Sequence, residues 1–220
     1  MERRYTRPMA PVVDRYVLGA AQENCYVVRT DRRAAEAVVV DPGDAATELR
    51  LELARAGTRC AAILVTHCHY DHIGAVADLA EGTEAPVYMA REEAPVMAAP
   101  DEYYAALGVH VRPYRPDVLL DGGETFEVAG LELETLLVPG HSPAHLAFFT
   151  DGCLFSGDVL FQGGVGRTDL LGGDWDTLVE SIRMLVERFP PETVVYPGHG
   201  APTTLGAELA RNPFLVELRA

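Results

Sequence analysis

An α/β fold is what this sequence predicts, and three observations carry the prediction. Short β-branched runs bounded by turn residues alternate with stretches of helical period through most of the chain. The 220 residues are 48% hydrophobic, which is enough chain and enough apolar surface for a sizeable core. No repeat, low-complexity tract or flexible linker divides them, so a single domain over residues 1–220 is expected.

In chain order, strands are expected at 24–29, 37–40, 61–65 and 87–89. Helical patterns at 45–56 and 73–80 lie among them, the first with Asp44 as its N-cap and Gly57 as its stop. The tight turn Asp121-Gly-Gly-Glu opens a second strand-rich half, with strands at 125–128, 131–137, 145–150, 153–155 and 193–196. Helices are expected at 175–188 and near 205–211. Between the halves, residues 94–116 hold four Pro and three Tyr without a clear period, and read as a surface lid or a plain connector.

Charge excludes several function classes. With 33 acidic and 18 basic residues the net charge is −15, and no Lys/Arg cluster is present to bind a phosphate backbone or an anionic membrane. Neither nucleic acid nor membrane is therefore expected as a partner. All the basic residues are Arg, so no lysine Schiff base can form. No apolar run approaches the roughly 20 residues of a membrane helix, and the opening Met-Glu-Arg-Arg-Tyr has no apolar leader core. Cys25, Cys60, Cys68 and Cys153 form no CxxC pair and read as reduced thiols of a cytoplasmic protein.

The most informative stretch is Val65-Thr-His-Cys-His-Tyr-Asp-His-Ile-Gly, between an apolar strand and a helical pattern. In an extended segment His67 and His69 project to one side. Asp71 and His72 then fall where strand gives way to helix and can face a neighbouring point. That is a layout for two adjacent metal sites. Three further metal-capable residues each follow a strand through a glycine: His141 after Pro139-Gly140, Asp158 after Gly157, and His199 after Pro197-Gly198.

This set, His67-x-His69-x-Asp71-His72 followed by His141, Asp158 and His199, with Asp41 in Val40-Asp-Pro-Gly ahead of it, resembles the motif signature of the metallo-β-lactamase superfamily. The resemblance implies a four-layer αββα sandwich, two mixed sheets flanked by helices with metals at one edge. It implies that His67, His69 and His141 bind a first metal, that Asp71, His72 and His199 bind a second, and that Asp158 bridges them. Asp41 would orient a ligand. Zinc suits imidazole and carboxylate, while iron and manganese accept similar sets.

Leu160-Phe-Gln-Gly-Gly-Val-Gly-Arg-Thr-Asp-Leu, Tyr196-Pro-Gly-His-Gly and Asn212-Pro-Phe-Leu are similar to the short bacterial glyoxalase II-like hydrolases. That implies a dinuclear centre whose bridging hydroxide attacks a small acyl-thioester, with Asp71 and Asp158 at the reaction centre. With so little sequence after His199, the C-terminal helical domain that supplies much of the glutathione site in full-length glyoxalase II is not expected, so the thiol carrier stays open, as does the oligomeric state (monomer or homo-oligomer). An alternative within the fold is a persulfide dioxygenase, with one iron on His67, His141 and Asp158; a lactonase is another.

Arg167, in a Gly-rich loop, is the candidate contact for a substrate carboxylate; its other reading is an ion pair with Asp169 or Asp174. His145 is expected to support the site without ligating metal, and Cys68 to point away from it. Gly140-His-Ser-Pro-Ala resembles a nucleophile elbow, with Ser142, Asp158 and His199 in hydrolase order. An elbow needs a helix after its serine, and Pro143 leads instead into a strand. Phe161 to Gly166 lacks the spacing of a dinucleotide loop.

Overall fold

The computed structural model describes residues 10–219, and the opening Met-Glu-Arg-Arg-Tyr segment lies outside them. The strands are β1 (Val12–Leu18), β2 (Glu23–Arg29), β3 (Glu36–Val40), β4 (Arg59–Leu64), β5 (Val87–Ala90), β6 (Val118–Leu120), β7 (Thr125–Val128), β8 (Leu131–Leu137), β9 (Leu146–Thr150), β10 (Cys153–Gly157), β11 (Leu160–Phe161), β12 (Gly164–Val165), β13 (Val194–Pro197) and β14 (Thr203–Thr204). The helices are α1 (Ala46–Ala56), α2 (Tyr70–Ile73), α3 (Val76–Thr83), α4 (Ala94–Ala98), α5 (Asp101–Tyr104), α6 (Trp175–Arg188) and α7 (Leu205–Arg211).

One six-stranded sheet runs β1-β2-β3-β4-β5-β6, antiparallel from β1 to β3 and parallel from β3 to β6. The other runs β14-β13-β10-β9-β8-β7, antiparallel except for the parallel β10–β13 pair. Side chains alternate between faces along each strand, and the buried clusters follow that alternation. Tyr26, Val28, Val38, Val40, Ala62 and Leu64 of the first sheet meet Leu131, Leu133, Leu146, Phe148 and Phe155 of the second. Cys25, Val27, Ala37, Val39 and Ile63 turn the other way, onto Leu49 and Leu53 of α1 and Val76 and Leu79 of α3. Ala147, Leu154 and Val195 pack outward on Leu178, Ile182 and Leu185 of α6. The result is the αββα sandwich. Strands buried on both faces read as continuous apolar runs, which is why β3 and β4 were legible. Each fully buried Val, Leu or Phe contributes about 1.5–3 kcal/mol.

Several expectations are corrected. Asp44 does not cap α1: the residue before the helix is Ala45, at φ 58° with no side-chain cap, and Asp44 Oδ1 accepts only from the adjoining Ala45 N–H. Gly57 does end that helix, in a left-handed conformation. The predicted helix at 73–80 is two pieces, α2 and α3, parted where Gly74 packs on Gly43: a Cβ there would lie 2.3 Å from the Gly43 carbonyl oxygen. Residues 94–116 carry α4, α5 and a 3-10 turn, and they are docked by side chains. Met97 and Val111 enter the core beneath the first sheet, and the Tyr104 hydroxyl donates to the Cys68 carbonyl at 2.7 Å. No helix among the described residues is long and apolar enough to cross a membrane.

Candidate metal centre

One edge of the sandwich collects the ends of five strands. Asp41 follows β3, His67 and His69 follow β4, His141 follows β8, Asp158 follows β10 and His199 follows β13. Asp71 and His72 lie in the single turn of α2. The chain turns sharply at these ends. Gly140 has φ 126°, and a Cβ there would strike the Leu178 backbone nitrogen at 2.3 Å. Gly157 has φ 48°, with Thr66 and His145 in the way of any side chain.

The predicted ligands come together in two groups. His69 Nδ1 lies 3.0 Å from His67 Nε2 and 2.9 Å from His141 Nε2. His199 Nε2 lies 3.3 Å from Asp71 Oδ2. Asp158 stands between the groups: Oδ1 is 3.4 Å from His72 Nε2, and Oδ2 is 3.5 Å from His141 Nε2 and 3.6 Å from His199 Nε2.

The hydrogen bonds on the far side of each ring fix which nitrogen faces inward. His141 Nδ1 donates to the Arg167 carbonyl at 2.8 Å. His72 Nδ1 donates to Asp41 Oδ2 at 3.0 Å, as expected of an orienting carboxylate. Thr66 Oγ1 gives its proton to Asp41 Oδ2, at 2.7 Å, and so accepts from His67 Nδ1 at 3.0 Å. His67 and His141 therefore point lone pairs at His69 Nδ1, and one proton there relieves a single contact. His72 Nε2 and Asp158 Oδ1 are buried with no hydrogen-bond partner. Converging lone pairs and orphaned buried acceptors are what a cation satisfies, so this donor set fits divalent metal.

Electrostatics agree. Burial, reinforced by the neighbouring imidazoles, pushes His67 down and holds His69 at about 4, so both are neutral and ready to donate. Burial alone would raise the Asp158 carboxyl, but the facing His72, His141 and His199 outweigh it and hold the group below its ordinary value. His72 differs: burial opposes its protonation, yet Asp158 and Asp41 overcome it and draw that imidazole up, so a proton competes with a cation for the position between these carboxylates.

The remaining candidates sort clearly. His145 stacks on His67, with ring centroids 4.6 Å apart and planes at 19°, and accepts from the Asp158 N–H at 3.1 Å. It supports the site from behind. Arg167 reaches the site through its carbonyl; its exposed guanidinium is held by Asp169, Nε to Oδ1 at 2.6 Å and Nη2 to Oδ2 at 2.8 Å. Asp174 instead caps α6 through the Thr177 N–H. Cys68 is buried and burial pushes its thiol up, so it is no nucleophile. Ser142 is buried, with its hydroxyl on Glu93, and no helix follows it.

Sequence reasoning missed the residues that hold the His199 loop. Asn24 Nδ2 donates to the Pro197 and Gly200 carbonyls at 2.9 and 2.8 Å, and the Tyr26 hydroxyl donates to Pro197 at 2.6 Å. Glu23 also went unnoticed; it is 1% exposed, its carboxyl pushed up to about 10 by burial. The available signal was a pair of polar residues opening an otherwise apolar strand.

Comparison with known proteins gives the same picture. The family model of the metallo-beta-lactamase superfamily matches residues 18–199. Hydroxyacylglutathione hydrolase GloC of Haemophilus influenzae is 33% identical, over 89% of this chain and 94% of its own length. The crystal structure of the BLEG-1 B3 metallo-beta-lactamase superposes with TM-score 0.87 and 37% identity, over 93% of this chain and all of that one. The structure of TTHA1623 in a di-iron-bound form does so with TM-score 0.79 and 40% identity, over 94% of this chain and all of that one. With two mixed sheets between helices, His/Asp clusters at the sheet edge, and the family model spanning most of its length, this chain belongs to the metallo-beta-lactamase superfamily of metal-dependent hydrolases.

Proposed function

We propose that the protein hydrolyses a small acyl-thioester with two divalent cations. His67, His69 and His141 would hold the first, Asp71, His72 and His199 the second, and Asp158 both. The observation that carries this reading is the position of Asp158 between the two groups: Oδ2 faces His141 of the first at 3.5 Å and His199 of the second at 3.6 Å, and Oδ1 faces His72 of the second at 3.4 Å. Such a pair, when bound, supplies Lewis acidity and a water acidified towards neutral pH. In the overall reaction water adds to the carbonyl carbon, the carbon–sulfur bond breaks, and a carboxylic acid and a thiol leave. Asp41, Thr66 and the Arg167 carbonyl hold the imidazole tautomers, and Asp71 and Asp158 offset the cationic charge. The exposed Tyr70 beside His69 and the Phe161 ring, edge-on to His199 at 6.0 Å, offer apolar contact for an acyl group. The GloC relative supports the thioester. The donor chemistry favours zinc, and the di-iron neighbour supports iron as the alternative.

Elemental analysis of the purified protein, followed by a panel of acyl-thioesters, lactones, β-lactams and a persulfide, tests this. About two equivalents of metal and thioester turnover are expected, with His72→Ala lowering turnover by about a hundredfold or more. A single iron with oxygen uptake on the persulfide replaces the reading with sulfur oxidation. Unchanged turnover in His72→Ala removes the two-metal mechanism.

A further inference from the structure

Glu93 lies in the turn after β5, its N–H on the Ala90 carbonyl at 3.2 Å, and its side chain is 3% exposed. A buried carboxylate is costly unless its oxygens are filled, and these are. Oε2 accepts from the Cys68 N–H at 2.7 Å; Oε1 accepts from the Ser142 hydroxyl and from the Ala144 N–H at 3.1 Å. The identity of the three donors is the informative part. Cys68 sits between His67 and His69, on the loop that leaves the first sheet. Ser142 directly follows His141, on the loop that leaves the second. One side chain thus ties together the backbones of the two loops whose imidazole nitrogens converge within 3.0 Å. It touches none of those imidazoles.

From this we infer that Glu93 is the positioning residue of the first metal site: by bridging the two sheets it sets the separation at which His67 and His69 meet His141. The inference rests on the metal-centre reading above. The second site is held by different groups, Asp41 on His72 and Asn24 with Tyr26 on the His199 loop. Loss of Glu93 therefore loosens one site and leaves the other, whereas a general role in stability would weaken both alike.

Zinc affinity, measured by competition with a chromophoric chelator, separates these outcomes in two single-site backgrounds. His72→Ala leaves the first site to be read, and His141→Ala leaves the second. Glu93→Gln keeps the shape but places an amide where three donors converge, so at least one donor loses its acceptor. Adding it to His72→Ala is expected to weaken zinc binding about tenfold to a hundredfold. In His141→Ala the same change is expected to leave affinity unaltered. Glu93→Asp, which keeps the charge, is expected to restore part of the loss. Equal weakening in both backgrounds, or none in either, overturns the proposal. If Glu93→Gln loses its cooperative melt, Ser142→Ala, which deletes one of the three bonds, is put through the same comparison. Wild-type protein that binds no metal overturns the metal-centre reading itself, which a negative result for Glu93 alone does not.

Discussion

Arg167 shows how one residue can serve a site through its backbone while its side chain stays in solvent. Its carbonyl fixes the His141 tautomer, and its guanidinium forms a two-point pair with Asp169. That pair keeps the Asp169 carboxyl at about 2, so the guanidinium is neutralised throughout the neutral range; the pair is lost only in acid, as pH falls through that value. A substrate carboxylate must compete with Asp169 for Arg167. Arg167→Ala is therefore expected to raise KM for an acidic thioester about threefold to tenfold, a modest effect because the pair is solvent-screened. Asp169→Asn is expected to lower it. Steady-state kinetics with acidic and neutral thioesters check both, and an unaltered KM in both variants removes the guanidinium from substrate binding.

At the scale of elements, strand ends and their turns place the ligands. The turn from β13 to His199 runs so close to the centre that Gly198 cannot carry a side chain: a Cβ would lie 2.1 Å from Asp158 Oδ1 and 2.6 Å from His72 Cε1. Gly198→Ala is expected to displace those two groups and weaken the second site at least about tenfold, with the sheets retained. Metal content and circular dichroism together check it, and two equivalents of metal in the variant would contradict it. Elements buried on both faces were legible before the structure, as were α6 and α7 by their period. β1 was not, since as an edge strand it mixes charged and half-buried residues. Nor was β6, with three residues. The break between α2 and α3 was hidden too, because there the Ala75 N–H leaves the helix for the distant Pro42 carbonyl at 3.0 Å, beside the contact of Gly74 with Gly43.

For the molecule as a whole, the metal centre joins the two sheets at an edge where carboxylates crowd. Glu23, Asp41, Asp71 and Asp158 act on one another there, in a chain of net charge −15. Cations bound by the folded chain alone stabilise it by about 2.7 kcal/mol at a hundredfold excess over Kd. For a chain of this size that is about 5–10 °C in Tm. Scanning calorimetry before and after chelation is expected to show a fall of that order, reversed by added metal. A Tm indifferent to chelation would contradict a cation held between the sheets.

Local pattern alone singles out the candidate donors of the centre. His67, His69, Asp71 and His72 stand within one turn and strand end, and His141, Asp158 and His199 each follow a strand and a glycine, so local rules reveal them. Two strand-rich halves and their alternating pattern likewise announced an α/β chain. What holds those side chains in place comes from contacts remote in sequence. Asn24 reaches Pro197 across 173 residues, and Glu93 reaches Ser142 across 49. A hydrogen bond between two stacked sheets depends on how the sheets pack, and no local period encodes that.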